Sequence, residues 1–187
     1  MTLRACREIV TIALMDRYWL LTWTTYGTWL PGDARGFVGP VRNESGDLVV
    51  HNVPGTEYDR DVPELEQHAR DALKSPPIYL TREQAQVVLE QFQHTAAHRE
   101  WKLCAAAVMA NHAHVVVGVP GDPDPASLLH DFKAYASRAL NRRWPRTGTW
   151  WTVSGSRRKL PDESAVTAAI RYVEQQHAPL AVWSCKP

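Results

Sequence analysis

Two histidines one residue apart, in the run Asn111-His112-Ala113-His114-Val115-Val116-Val117, carry the sharpest chemical signal in the sequence. The three valines mark a strand, and side chains on a strand alternate between faces. His112 and His114 therefore point one way, Ala113 and Val115 the other. Two imidazoles side by side on a rigid support suit a divalent metal. Two half-buried histidines on a solvated sheet face would give the same pattern, and spacing alone does not separate the two readings.

Charge gives the second signal. Lys133, Arg138, Arg142, Arg143, Arg146, Arg157, Arg158 and Lys159 fall in a stretch without an acidic residue, whereas residues 43–71 carry eight acids against Arg60 and Arg70. A net charge of +1 hides this asymmetry. A local positive field suits a polyanion such as nucleic acid. Arg138, Arg142, Arg143, Arg157, Arg158 and Lys159 are the candidate phosphate contacts, with Trp144, Trp150 or Trp151 available to stack on unpaired bases. A solvated basic face and buried tryptophans are the plain alternatives.

The elements that must position these groups are legible in outline. Residues 18–26, aromatic and β-branched, read as a first strand. Residues 27–61 follow as a long irregular excursion, with a short hairpin expected around Ser45-Gly46-Asp47. Helices are expected over 63–74 and 82–100, the second opened by a capping box of Thr81 and Gln84 and striped by Val87, Val88, Phe92 and Ala96. Two strands, 102–109 and 112–119, turn at Ala110-Asn111. Asp124 and Pro125 then start a helix to about residue 142, with Leu128, Phe132, Ala136 and Ala139 inward and Asp131, Tyr135, Arg138 and Arg142 along one flank. Residues 148–153 read as a strand, 161–175 as a last helix starting near Asp162, and 180–183 as a terminal strand. His94 and His98, four apart on a helix, lack a third partner and read as exposed.

A chain of 187 residues fits one domain with one core. The elements make it α+β, an antiparallel sheet with packed helices. Residues 1–17 read as an N-terminal extension and 18–187 as the domain. Cys6, Cys104 and Cys185 are odd in number and in no CxxC spacing, so neither a disulfide framework nor a zinc ribbon is expected. The apolar run 9–15 is too short to span a membrane, and the expected setting is cytoplasmic.

Taken in order, these blocks resemble the single-tyrosine HUH transposases, and within them the REP-associated tyrosine transposases. The resemblance rests on Met109-Ala110-Asn111-His112-Ala113-His114, on Phe132-Lys133-Ala134-Tyr135-Ala136-Ser137-Arg138, on Gly148-Thr149-Trp150-Trp151, and on Thr24-Thr25-Tyr26-Gly27-Thr28-Trp29-Leu30-Pro31 near the start. It implies a ferredoxin-like HUH fold and a metal-dependent endonuclease and strand transferase acting on single-stranded DNA that bears a hairpin. By the same resemblance, His112 and His114 would hold Mg²⁺ or Mn²⁺, and Tyr135 would attack the phosphorus to leave a 5′-phosphotyrosine link. A phenol, mostly protonated at neutral pH, then needs the metal, a base or a neighbouring cation such as Arg138.

One position departs from the resemblance. Relatives commonly take a third metal ligand, an amide, one turn past the nucleophile on the tyrosine helix, and here that position is Ala139. Asp131, one turn before Tyr135, is the alternative ligand. Two other readings stay open: a catalytically silent protein that binds single-stranded or hairpin DNA, and a metal hydrolase that uses an activated water. A homodimer is also left open.

Overall fold

Alternation along the first strand decides the architecture. In the computed structural model, which describes residues 15–34, 39–42, 45–51 and 62–185, strand β1 (Arg17–Thr24) pairs with the strand carrying the histidines. The described residues fall into two compact units, one of residues 15–24 and 80–185 and the other within residues 25–79.

In the second unit, β2 (Gly39–Arg42) and β3 (Leu48–His51) form an antiparallel hairpin. It turns at Ser45-Gly46-Asp47, where the sequence placed it. Helix α1 (Pro63–Asp71) follows, with proline in its first turn, where the missing N–H costs nothing. Most of the remaining excursion, and the extension over residues 1–14, lie outside the described residues.

The first unit holds α2 (Arg82–His98), β4 (Lys102–Val108), β5 (His112–Val119), α3 (Pro125–Arg143), β6 (Ser156–Leu160), α4 (Glu163–Glu174) and β7 (Ala181–Ser184). Its sheet is antiparallel, in the order β6-β1-β5-β4-β7. The α+β reading holds. Both halves of the Thr81–Gln84 capping box form, Asp124 caps α3, and Asp162 caps α4.

Trp19, Leu21 and Trp23 of β1 stand opposite Val117, Val115 and Ala113 of β5, and directly opposed residues share a face. Trp23 meets Phe92 of α2 edge to face, and Phe92 meets Phe132 of α3 in the same manner. This face therefore carries α2 and α3. On the other face Tyr18, Leu20, Ala105, Ala107, Val116 and Leu160 form one core with Val166, Ala169 and Val173 of α4. Burial of each such Val or Leu contributes roughly 1.5–3 kcal/mol, so each helix is firmly committed to its side.

One expectation fails near the end of the chain. Residues 148–153 do not form a strand: Trp151 makes only an isolated bridge, and the segment packs through its buried tryptophans, Trp151 turning inward against Trp23. The strand lies further on, at β6, with the sequence Ser156-Arg157-Arg158-Lys159-Leu160. β6 closes one edge of the sheet, where charged side chains are tolerated and protect against further pairing. Such a strand has no apolar alternation to betray it.

Candidate active site

His112 and His114 share a face, as the alternation requires, and their rings lie 4.9 Å apart between centroids. They occupy the face that carries α4. His114 stands between Thr22 of β1 and Ala107 of β4 in one row of the sheet, and that row continues to Ser156 of β6. Its Nδ1 is hydrogen-bonded to the Thr22 hydroxyl at 2.8 Å. Nδ1 of His112 is 2.7 Å from the Asn111 side-chain oxygen, an acceptor, so this nitrogen carries the proton.

Nε2 of His114 is buried and has no hydrogen-bond partner. An orphan buried imidazole nitrogen costs free energy unless a ligand takes it up. Burial, and next the proximity of His112, lower the His114 pKa to about 4, against the opposing influence of the Gln176 side chain. Gln176 is thus near the imidazole without closing a hydrogen bond to Nε2. A neutral histidine with a fixed Nδ1 partner and an unused Nε2 is the form that ligates metal.

Two residues that the sequence reading passed over complete the site. The ring of Tyr172 on α4 meets His114 edge to face, with centroids 5.3 Å apart. Val166, Ala169 and Val173 are the buried stripe of α4, and Tyr172 lies on its flank, 49% exposed. Gln176 follows one turn later, just past the helix end, where its Nε2 donates to the Tyr172 carbonyl at 3.0 Å. That bond satisfies a carbonyl of the last turn and leaves the amide oxygen as a further polar donor atom beside the histidines. The spacing Tyr172-x-x-x-Gln176, a phenol and an amide one turn apart, was present in the sequence as a signal.

The structure does not bring Tyr135 to the histidines. Tyr135 belongs to α3, on the Trp23 face, with its ring under the Arg138 guanidinium at 4.8 Å; His112 and His114 point to the opposite face. Asp131 lies on the same helix, away from the histidines, and pairs with Arg99 of the α2 C-cap at 2.8 Å. Among the described residues no third His, Cys, Asp or Glu joins the two histidines. Gln176 brings an amide, a residue type outside that set, next to His114.

Of the basic residues, Arg142 and Arg143 are exposed at the end of α3, and Arg157, Arg158 and Lys159 are exposed on β6. Alternation sends them to different faces. Arg158, opposite Leu20, shares the histidine face, whereas Arg157 and Lys159, opposite Leu21 and Trp19, share the α3 face. Lys133 is not a free cation: its ammonium donates to the carbonyls of Thr152, Val153 and Ser154. Neither Trp150 nor Trp151 is free to stack, since both are buried and their indole N–H groups donate to Asn141 Oδ1 at 2.7 Å and to the Lys133 carbonyl at 3.1 Å. His94 and His98 are exposed, as expected.

A family model described as transposase IS200 like matches residues 64–176, a span that contains His112, His114, Tyr172 and Gln176. No curated protein matches. Two solved structures are similar at 14% identity. One is a REP-associated tyrosine transposase bound to a REP hairpin, with a TM-score of 0.47, covering 92% of this chain and 70% of that one. The other, described as a transposase from Deinococcus radiodurans, has a TM-score of 0.43 and covers 95% of this chain and 99% of that one.

Proposed function

Given that the chain belongs to the family of IS200-like transposases, we propose that it nicks and rejoins single-stranded, hairpin-bearing DNA with Tyr172 as its covalent nucleophile. The observation that carries this reading is the contact of the Tyr172 ring with His114. It joins the only tyrosine of α4 to the paired histidines.

Tyr172 Oη attacks the phosphorus of a phosphodiester, the new bond is a 5′-phosphotyrosine, and the 3′ oxygen leaves and takes up a proton from water. The phenol proton passes to solvent, which reaches the half-exposed ring. Because the phosphotyrosine keeps the bond energy, attack by a 3′-hydroxyl in the reverse direction rejoins a strand. His112, His114 and the Gln176 amide oxygen would hold a divalent ion, Mg²⁺ or Mn²⁺. When bound, that ion supplies charge stabilisation on the phosphate oxygens. Thr22 and Asn111 orient the two imidazoles, and Arg158 gives the phosphate backbone a cation on the same face.

The amide that relatives carry one turn past the nucleophile is found at Gln176 once Tyr172 is the nucleophile. Ala139, the position that departs from the resemblance, belongs to α3 on the other face, so on this reading it is not the ligand position. The test is incubation with Mn²⁺ and labelled hairpin DNA, followed by denaturing electrophoresis. A protein-DNA adduct that disappears in Tyr172→Phe and persists in Tyr135→Phe supports the reading. Cleavage without an adduct would replace it with hydrolysis by water.

A further inference from the structure

A cleft of about 460 Å³ opens between α3 and the segment that leads into β6, on the sheet face turned away from His112 and His114. Nothing in the chemistry above uses it. We propose that this cleft takes one unpaired base of the same single-stranded DNA, with the adjoining phosphate on Arg157. The proposal rests on the assignment of single-stranded DNA as substrate and names a second place where that strand is held.

The cleft has the size of a small-molecule site, and its lining suits a nucleotide in two respects. Leu129, Ala134 and Trp151 supply apolar wall, and no carboxylate lines it. The charged or titratable groups that do line it are His130, Lys133 and Arg157; with the Lys133 ammonium held by carbonyls, Arg157 is the cation the cleft offers an anion. Its shape is held from within. Lys133 pins residues 152–154 by their carbonyls, and Trp151 is fixed between Trp23 and the Lys133 carbonyl. A preformed apolar wall lets a base seat without first ordering the protein.

Continuity with the active site comes from β6. Arg157 lines the cleft, while its neighbour Arg158 points to the histidine face. Consecutive residues of one edge strand therefore offer cations to both faces. From His114 the row of the sheet runs through Thr22 to Ser156, two strand spacings or about 10 Å. Among the described residues no strand pairs beyond β6. A flexible single strand leaving Tyr172 can pass over that edge, with its backbone between Arg158 and Arg157 and one base turned into the cleft.

The experiment walks an abasic site along the single-stranded flank of a hairpin oligonucleotide and measures affinity by fluorescence anisotropy for the wild type, Ala134→Leu and Arg157→Gln. Ala134 faces the cleft from a helix, where leucine is well tolerated. A base seated against this apolar wall predicts that one abasic position weakens wild-type binding by roughly threefold to tenfold, and that Ala134→Leu erases the difference. The Trp151 indole N–H resonance in the wild type should move on adding intact oligonucleotide and stay in place with that abasic one. A flat abasic profile in wild type that still binds and cleaves overturns the base site and leaves the proposed function standing. Wild type that neither binds nor cleaves overturns both. Should Ala134→Leu fail to fold, Arg157→Gln together with the Trp151 resonance decides: an unmoved resonance at saturating DNA sinks the proposal.

Discussion

The rings of His114 and Tyr172 meet edge to face at 5.3 Å, and this contact joins a central strand to the last helix in one site. It is the reason Tyr172, rather than Tyr135, is proposed as the nucleophile. Tyr172→Phe should abolish the DNA adduct and lower cleavage by at least a thousandfold, while hairpin affinity stays within about threefold. Tyr135→Phe should change neither by more than about threefold. Cleavage assays and anisotropy on both variants check this, and a surviving adduct in Tyr172→Phe would remove the assignment.

Gln176 sits beside the histidines and Asp131 does not, so the two make opposite predictions for metal affinity. Gln176→Ala should weaken Mn²⁺ binding by about tenfold or more, in line with losing one donor near the ion. Asp131→Asn, which breaks only the pair with Arg99, should leave it unchanged. Isothermal titration with MnCl₂ in the absence of DNA reads both. Equal losses in the two variants would restore a role for Asp131.

The histidine pair was legible in the sequence because strand periodicity alone dictates that alternate residues share a face. The caps at Thr81, Asp124 and Asp162 were legible because they are local chemistry. What was not legible is the side of the sheet on which each helix packs. Tyr135 and Tyr172 both lie on the flank of an apolar stripe, and nothing within either helix says which face it covers. The Trp23-Phe92-Phe132 cluster settles that for α3, and Ala105, Ala107 and Val116 settle it for α4; both are long-range choices. β6 was missed for a related reason: an edge strand of Ser-Arg-Arg-Lys has no apolar partner to pattern it.

Thr22 reaches His114 Nδ1 at 2.8 Å from the neighbouring strand and orients the ring. Thr22→Val keeps the shape and removes the oxygen, so Mn²⁺ affinity should fall by about tenfold to a hundredfold, and Thr22→Ser should restore most of it. Nitrogen NMR of the metal-free protein gives a second readout. A mixed His114 tautomer in Thr22→Val, against a single one in wild type, is the expected outcome. Unchanged affinity and tautomer in Thr22→Val would reduce the threonine to packing.

Gly155 passes tightly between the two faces of the edge. A Cβ there would lie 2.8 Å from the Thr22 carbonyl oxygen, 2.9 Å from Leu129 Cδ2 and 3.0 Å from Trp23 Cβ. Two of these atoms belong to β1, in the middle of the hydrogen-bonded sheet, and have little room to retreat. Gly155→Ala should therefore destabilise the fold by about 1–3 kcal/mol, measured by urea unfolding. A variant as stable as wild type would mean that this approach relaxes freely.

Burial, with His112 beside it, holds the His114 pKa at about 4 in the folded protein, below its ordinary 6.5. Between those values the unfolded chain takes up a proton that the folded chain refuses, so acid favours unfolding. The metal-free protein should lose stability as pH falls from about 6.5 to about 4. For this one group the full loss is on the order of 3 kcal/mol, and above pH 6.5 the group contributes no pH dependence. Other groups titrate in the same range, so the decisive quantity is the difference between wild type and His114→Asn, which lacks the group. Urea midpoints for the two proteins at pH 7.5, 6, 5 and 4.5 should show the wild type losing ground to the variant step by step as acid is added. A constant difference across the series would mean that His114 takes up its proton as readily when folded as when unfolded, and so is not shut away from water.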